Sequence, residues 1–161
     1  MLVDIDGVIS VWGWSHQEPV DGAWALVDGI PHFLATGPAE RLRALREHFS
    51  LVWCSGWQER ANEHLPALLA LGPLPHLSFR RPTAGTPPPA HWKLDAIEAH
   101  VGPHRAVAWV DDDLNAACHE WARERPGPTL LVTTDPAMGL TAAQAAELGA
   151  WAARLGAGGP G

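Results

Sequence analysis

The chain has 161 residues, 47% hydrophobic and 18% charged, a globular balance with enough length for one sizeable core, which excludes a disordered polypeptide. No apolar run reaches the roughly 18 residues of a membrane span, and MLVDIDGVIS has neither a basic start nor a long apolar stretch, so no signal peptide is expected and the cytoplasm is the expected compartment. A net charge of −7 excludes the basic footprint of a protein that grips long duplex nucleic acid, but not an enzyme that works on one terminal phosphate.

In chain order, Met1-Leu2-Val3 reads as a short apolar strand that enters the acidic turn Asp4-Ile5-Asp6-Gly7. Val8–Trp14 and Ala23–Phe33 look strand-like, and Asp28-Gly29 between apolar arms predicts a tight hairpin turn. Residues 9–36 are therefore read as a β-hairpin flap, with Pro31 pushing its second arm toward a sheet edge. Pro38–His48 is predicted helical, with Leu42, Leu45 and Phe49 on one face.

Leu51-Val52-Trp53-Cys54 is a continuous apolar run that ends at Ser55-Gly56, the pattern of a buried strand. Residues 58–71 are predicted helical, with Leu65, Leu68, Leu69 and Leu71 as core candidates, and Leu77-Ser78-Phe79 as a short strand. A Pro-rich loop follows at 82–90, then a helix over His91–Val101 that carries Lys93. Ala106–Val110 is a strand that runs into Asp111-Asp112-Asp113; Leu114–Arg125 is helical, and Asp113 is its expected N-cap. Thr129–Val132 is the last strand, and Thr141–Leu155 the last helix, capped by Thr141. Residues 1–156 are read as a single domain and 157–161 as a disordered tail.

Continuous apolar strands that alternate with helices predict an α/β three-layer sandwich around a central parallel sheet. Ligands in such sheets bind beyond the carboxyl ends of the strands, where Asp4, Asp6, Ser55 and Asp111–Asp113 all fall. Asp4 and Asp6 are two apart and point the same way from an extended chain; one carboxylate can attack while the other moves protons. Gly7 lets the chain turn tightly and brings backbone N–H groups close to a ligand. Acidic groups gathered at one sheet edge repel unless a hard divalent cation such as Mg2+ neutralises them. Ser55 and Gly56 offer a hydroxyl and a backbone N–H to a phosphate.

Of the eleven Lys and Arg residues, Lys93 alone is lysine. A composition rich in Ala, Gly and Pro points to a coding bias that drives Lys toward Arg. A lysine kept against that drift suits a task that needs a compact point charge instead of a planar fork, such as stabilising charge on a transferring phosphoryl group. The nine histidines are scattered, with no helical pair plus third ligand for zinc, and His91 is expected at the surface. Cys54 and Cys118 form no CxxC pair and read as small buried hydrophobes, in keeping with a reducing compartment. Asp95 and Glu98 read as a solvated helix face. Trp53 and Trp109 read as core; Trp12, Trp14, Trp57 and Trp92 flank the flap or the motifs, where they either pack or stack on an aromatic group of a substrate.

Asp4-Ile5-Asp6-Gly7-Val8 resembles the first motif of the haloacid dehalogenase (HAD) superfamily. Leu51–Ser55 resembles its second motif, Lys93 its third, and Val110-Asp111-Asp112 its acidic fourth, in order across roughly residues 1–113. LVWCSGWQERAN, HWKLDAI, AWVDDDL and TLLVTTDPAMGLT resemble, more narrowly, small bacterial members of that superfamily whose related domains occur in RNA-repair contexts. The resemblance implies a Mg2+-dependent phosphatase that works through an aspartyl-phosphate. In it, Asp4 is the nucleophile and a metal ligand. Asp6 is the general acid/base and offers its backbone carbonyl to the metal. Ser55, with Gly56 and Gly7, binds the phosphoryl group, Lys93 holds Asp4 and the phosphate, and Asp111 ligates Mg2+ with Asp112 as second choice. Asp6 argues for a phosphatase, because dehalogenase members lack that second aspartate.

About 45 residues between Asp6 and the second motif, and 37 between Ser55 and Lys93, leave room for a flap but not a large cap. Capless members often take macromolecular substrates or borrow a neighbouring subunit as cover, so an oligomer is compatible with the sequence. The substrate stays open among a nucleotide, a nucleic-acid end, a small phosphorylated metabolite and a phosphoprotein. Three rivals stand beside this reading. They are a metal- and phosphate-binding module without turnover, a phosphotransferase with the same intermediate, and a receiver domain, against which the order of the acidic motifs argues.

Overall fold

The computed structural model describes residues 1–13, 20–79 and 90–157, apart from the side chains of Ala67 and Leu68. Four parallel strands make the central sheet: β1 (Leu2–Val3), β5 (Val52–Trp53), β6 (Val107–Asp111) and β7 (Thr129–Thr133), in the order β5-β1-β6-β7. Each is short and apolar, and alternate residues feed opposite faces. Val3, Trp53, Ala108 and Val110 join one core with Leu42, Leu65 and Leu148. Leu2, Val52, Val107 and Trp109 join the other with Ile97, Val101, Cys54 and Cys118. Helices α1 (Thr36–Ala44), α2 (Ala61–Leu69) and α5 (Ala142–Ala157) therefore cover the first face, and α3 (Leu94–Val101) and α4 (Ala116–Glu124) the second. Both faces are covered, so every residue of β1, β5 and β6 is buried, whereas β7 at the end of the sheet is only partly so. This is the expected α/β sandwich, and no large cap is present among the described residues. No helix among them is long and apolar enough to cross a membrane.

The flap is a three-stranded antiparallel sheet, β2 (Ser10–Val11), β3 (Gly22–Val27) and β4 (Ile30–Ala35), in the order β2-β4-β3. Asp28 and Gly29 both take positive φ, 52° and 79°, the twist that a two-residue hairpin turn requires. The sequence expectation for Pro31 needs correction, because β4 is the middle strand and not an edge. β2 pairs only with Leu34 and Phe33, so it stops before reaching Pro31. Val27 and Ile30 flank the turn and form a hydrogen-bonded pair; the next pair, Leu26 and Pro31, is not hydrogen-bonded, and the proline nitrogen faces away from β3. The imino acid thus sits where no ladder bond is demanded.

Other expectations shift by a turn or two. The first helix ends in a 3-10 turn over Leu45–Glu47, and α2 is entered through another over Gln58–Arg60. Residues 77–79 form no strand; the chain makes one bridge there, between Trp53 and His76. Thr141 caps α5 as expected, in a reciprocal box where its hydroxyl accepts from Gln144 N and Gln144 Oε1 accepts from Thr141 N. Ala157, read as the first residue of the tail, is helical. Residues 158–161, the loop at 82–89 and Trp14 lie outside the described residues.

Candidate active site

β1 lies between β5 and β6, and the chain visits β5 on one side before β6 on the other. A crevice opens at the carboxyl ends where strand order reverses in this way. β1 delivers Asp4 there, β5 delivers Ser55, and β6 ends in Asp111. Asp4 is fixed by its backbone N–H, which donates to Val110 O at 3.0 Å, and its own Oδ1 accepts from Ile5 N at 2.7 Å.

Lys93 joins the two acidic segments. Its Nζ donates to Asp4 Oδ2 at 2.7 Å and to Asp111 Oδ2 at 2.6 Å, and the residue is 2% exposed. Lys93 does not lie within a helix as the sequence reading had it. It occupies the position just before α3, at the end of a turn that directs the ammonium to the sheet edge. Asp111 is fully buried; Oδ2 also accepts from Trp109 Nε1 at 2.9 Å, and Oδ1 accepts from Asp113 N at 3.1 Å. The expected cap role of Asp113 therefore falls to Asn115, whose Oδ1 accepts from Ala117 N and Cys118 N. The acidic turn continues two residues further before α4 begins.

Asp4, Asp111 and Asp112 each offer an oxygen, and all three lie within 4.8 Å of one another. Burial pushes the Asp4 carboxyl up to about 7, with Asp111 adding repulsion against the opposing pull of Lys93 and hydrogen bonds from Lys93 and Ser55. Asp112 is also raised, by partial burial and then by Asp111. Burial works against the charge on Lys93, but Asp4 and Asp111 outweigh it and hold the ammonium above the ordinary lysine range. Three carboxylates and one ammonium carry a formal surplus of negative charge in a buried place. Carboxylate oxygens held this close, with lone pairs to spare, fit a hard divalent cation. Gly7 sits at φ 67° directly against Asp112; a Cβ there would overlap the Asp112 carboxyl. Thr134 ties the same turn to β6, since its hydroxyl donates to Gly7 O at 2.8 Å and its N–H to Asp111 O at 3.1 Å.

Ser55 is fully buried, and its Oγ receives the Trp57 N–H at 3.5 Å. Gly56 is exposed beside the Trp92 ring. Asp6 lies to one side, half-buried, with Trp57 Nε1 donating to its Oδ2 at 2.9 Å and His32 Nδ1 lying 3.2 Å from Oδ1. His32 comes from β4 of the flap, packs edge-on against Trp57 and meets Ser10 Oγ at 3.1 Å. Sequence reasoning missed His32 and Thr134; strand position marks them only as an end-of-strand threonine and a polar residue inside an apolar arm. It also misplaced His91, which is buried beneath Trp109 and lies 3.1 Å from Asp113 O. Trp57 is buried against Asp6, whereas Trp12 and Trp92 are exposed. Asp95 is exposed as expected, but Glu98 accepts from Trp121 Nε1 at 2.8 Å. Cys54 and Cys118 are both buried and free.

A family model described as the HAD domain in Swiss Army Knife RNA repair proteins matches residues 1–145. Comparisons with curated proteins and with solved structures returned no match.

Proposed function

Since the chain belongs to the family of HAD domains in Swiss Army Knife RNA repair proteins, we propose that it is a Mg2+-dependent phosphomonoester hydrolase that works through an aspartyl-phosphate on Asp4. Membership supports HAD-type hydrolase chemistry in general. The specific reading rests on one observation: a buried ammonium spans the Asp4 and Asp111 carboxylates at 2.7 and 2.6 Å, with a third carboxylate, Asp112, beside them. Residues 1–156 constitute the hydrolase domain in this reading.

An Asp4 carboxylate oxygen attacks phosphorus, and the bond from phosphorus to the ester oxygen breaks. Asp6 gives its proton to the departing oxygen. Water then attacks the same phosphorus, Asp6 takes the water's proton, and the Asp4–phosphorus linkage breaks to release inorganic phosphate. Lys93 holds Asp4 in place and offsets charge on the transferring group, and Ser55 with the backbone N–H groups near Gly7 and Gly56 receives the phosphoryl oxygens. Asp4, Asp111, Asp112 and the Asp6 backbone carbonyl would hold the Mg2+, which supplies neutralisation of phosphate charge. His32 and Trp57 aim the Asp6 carboxyl from two sides.

The family description makes phosphorylated, nucleic-acid-related substrates the first to try. A screen of an aryl phosphate, nucleotides, 3′- and 5′-phosphorylated oligonucleotides and sugar phosphates, each with Mg2+ and with chelator, tests the proposal. Phosphate release that depends on Mg2+ and disappears in Asp4→Asn is expected. Failure to hydrolyse any ester would leave a metal- and phosphate-binding module as the better reading.

A further inference from the structure

A cavity of about 580 Å³ opens beside Asp6, lined by Trp12, Trp24, Pro31 and Phe33 of the flap together with Ser10 and His32. It lies within the size range of small-molecule sites, which are mostly apolar with a few polar groups. A second cavity, of about 510 Å³ between Met1, His48 and Trp151, lies at the amino ends of the strands, away from the acidic cluster.

We propose that the flap cavity is a leaving-group subsite and that it takes the nucleoside of a nucleoside monophosphate or of a phosphorylated strand end. The inference rests on the phosphatase reading for one step: the general acid stands beside the departing oxygen, so the cavity that Asp6 lines is where the leaving group lies. The walls then select its chemistry. Trp24 is 66% exposed while it packs edge-on against Phe33 at 5.3 Å, and Trp12 is 48% exposed. Large aromatic surface held at the mouth of a site suits a flat ring system, and every nucleobase has such a face. Ser10 also lines the cavity, and its hydroxyl, which meets His32 Nδ1, is a hydrogen-bonding group for a sugar hydroxyl.

Spacing favours a nucleoside over an aryl ester. Phe33 pairs with Val11 on one side and Trp24 on the other, so Trp24 lies two strands from β2, roughly 10 Å across the sheet. A ring bonded directly to the phosphate oxygen, as in phosphotyrosine, stays beside Asp6, whereas a base reaches outward across its ribose. None of the described lining residues is Lys or Arg, so the cavity reads one ring by stacking instead of gripping a run of phosphates.

The test measures affinity, by calorimetry, of the turnover-deficient Asp4→Asn protein with Mg2+ for adenosine 3′-monophosphate, glycerol 2-phosphate, a phosphotyrosine peptide and a 3′-phosphorylated trinucleotide. Adenosine 3′-monophosphate or the trinucleotide is expected to bind about 10-fold tighter than glycerol 2-phosphate; whichever is tighter tells a free nucleotide from a strand end. Trp24→Ala should remove most of that preference and Trp24→Phe should keep most of it, with melting curves checking that both fold. Equal affinity for nucleotides and glycerol 2-phosphate, a preference untouched by Trp24→Ala, or tightest binding of the phosphotyrosine peptide would overturn the subsite. Wild-type turnover is read separately: absence of hydrolysis sinks the phosphatase reading, while the affinities still judge the nucleoside site.

Discussion

The sheet edge and the flap meet at Asp6 and are built on opposite terms. At the sheet edge, charged groups are buried: Lys93, Asp4 and Asp111 lie almost fully out of water and compensate one another. On the flap, apolar groups are exposed, with Trp24, Leu26 and Ile30 open to solvent. Buried charges must be paired and hydrogen-bonded, so their positions are fixed to within a bond length and tolerate little change. Exposed apolar residues have no such constraint. The edge is fixed by its compensated charges, and the flap is tied down by the ion pair between Arg60 and Asp28 at its tip and by the contact of His32 with Asp6.

The sharpest way to break this contrast is at the edge. Asp4→Asn should lower phosphate release by about 10⁴-fold or more, because no other group on the strand can attack, while far-UV dichroism stays unchanged. Wild-type turnover in that variant would remove Asp4 as nucleophile. Lys93→Met should cost about 3–5 kcal/mol in urea unfolding, since it leaves two buried carboxylates facing each other. Lys93→Arg should also be severely impaired in turnover, as the planar fork does not fit a buried point-charge position. A change below about 1 kcal/mol for the methionine variant would show that the edge is wetter than its burial implies.

Smaller effects lie at the joint between the regions. Gly7→Ala forces a non-glycine residue into positive φ, at roughly 1–2 kcal/mol, and drives a methyl group into Asp112. Mg2+ affinity, read by calorimetry, should fall about 10-fold as that carboxylate is displaced. His32→Ala should lower kcat about 10-fold with KM little changed, because it loosens Asp6 without touching the phosphate position. An equal rise in KM would place His32 in substrate binding instead. The smallest effect belongs to the flap: Ile30→Ser should leave unfolding stability within about 0.5 kcal/mol.

Local signals carried far in this chain because its strands are short and its motifs sit directly at their ends. The apolar pairs Leu2-Val3 and Val52-Trp53, and the run Val107–Val110, announce buried strands, and each is followed within two residues by its polar residue. The Asp28-Gly29 turn was legible because positive φ at two successive residues selects few residue types. Pro31 misled because a missing N–H forbids a ladder bond only on one side, and β2 is too short to need it there. Asp113 misled because an acidic residue before a helix looks like a cap at any of several positions, and only the path of the turn selects Asn115.

The amino-acid sequence by itself determined the α/β layering, the gathering of acidic residues at strand ends and the presence of a single lysine, since all of these follow from apolar periodicity and residue identity along short stretches of chain. Tertiary structure alone decided that the lysine stands on a turn between Asp4 and Asp111, that His32 reaches Asp6 from 26 residues away and that His91 is buried. Those relations depend on the packing of separate strands and helices, and contacts between segments distant along the chain leave no periodic mark on either segment.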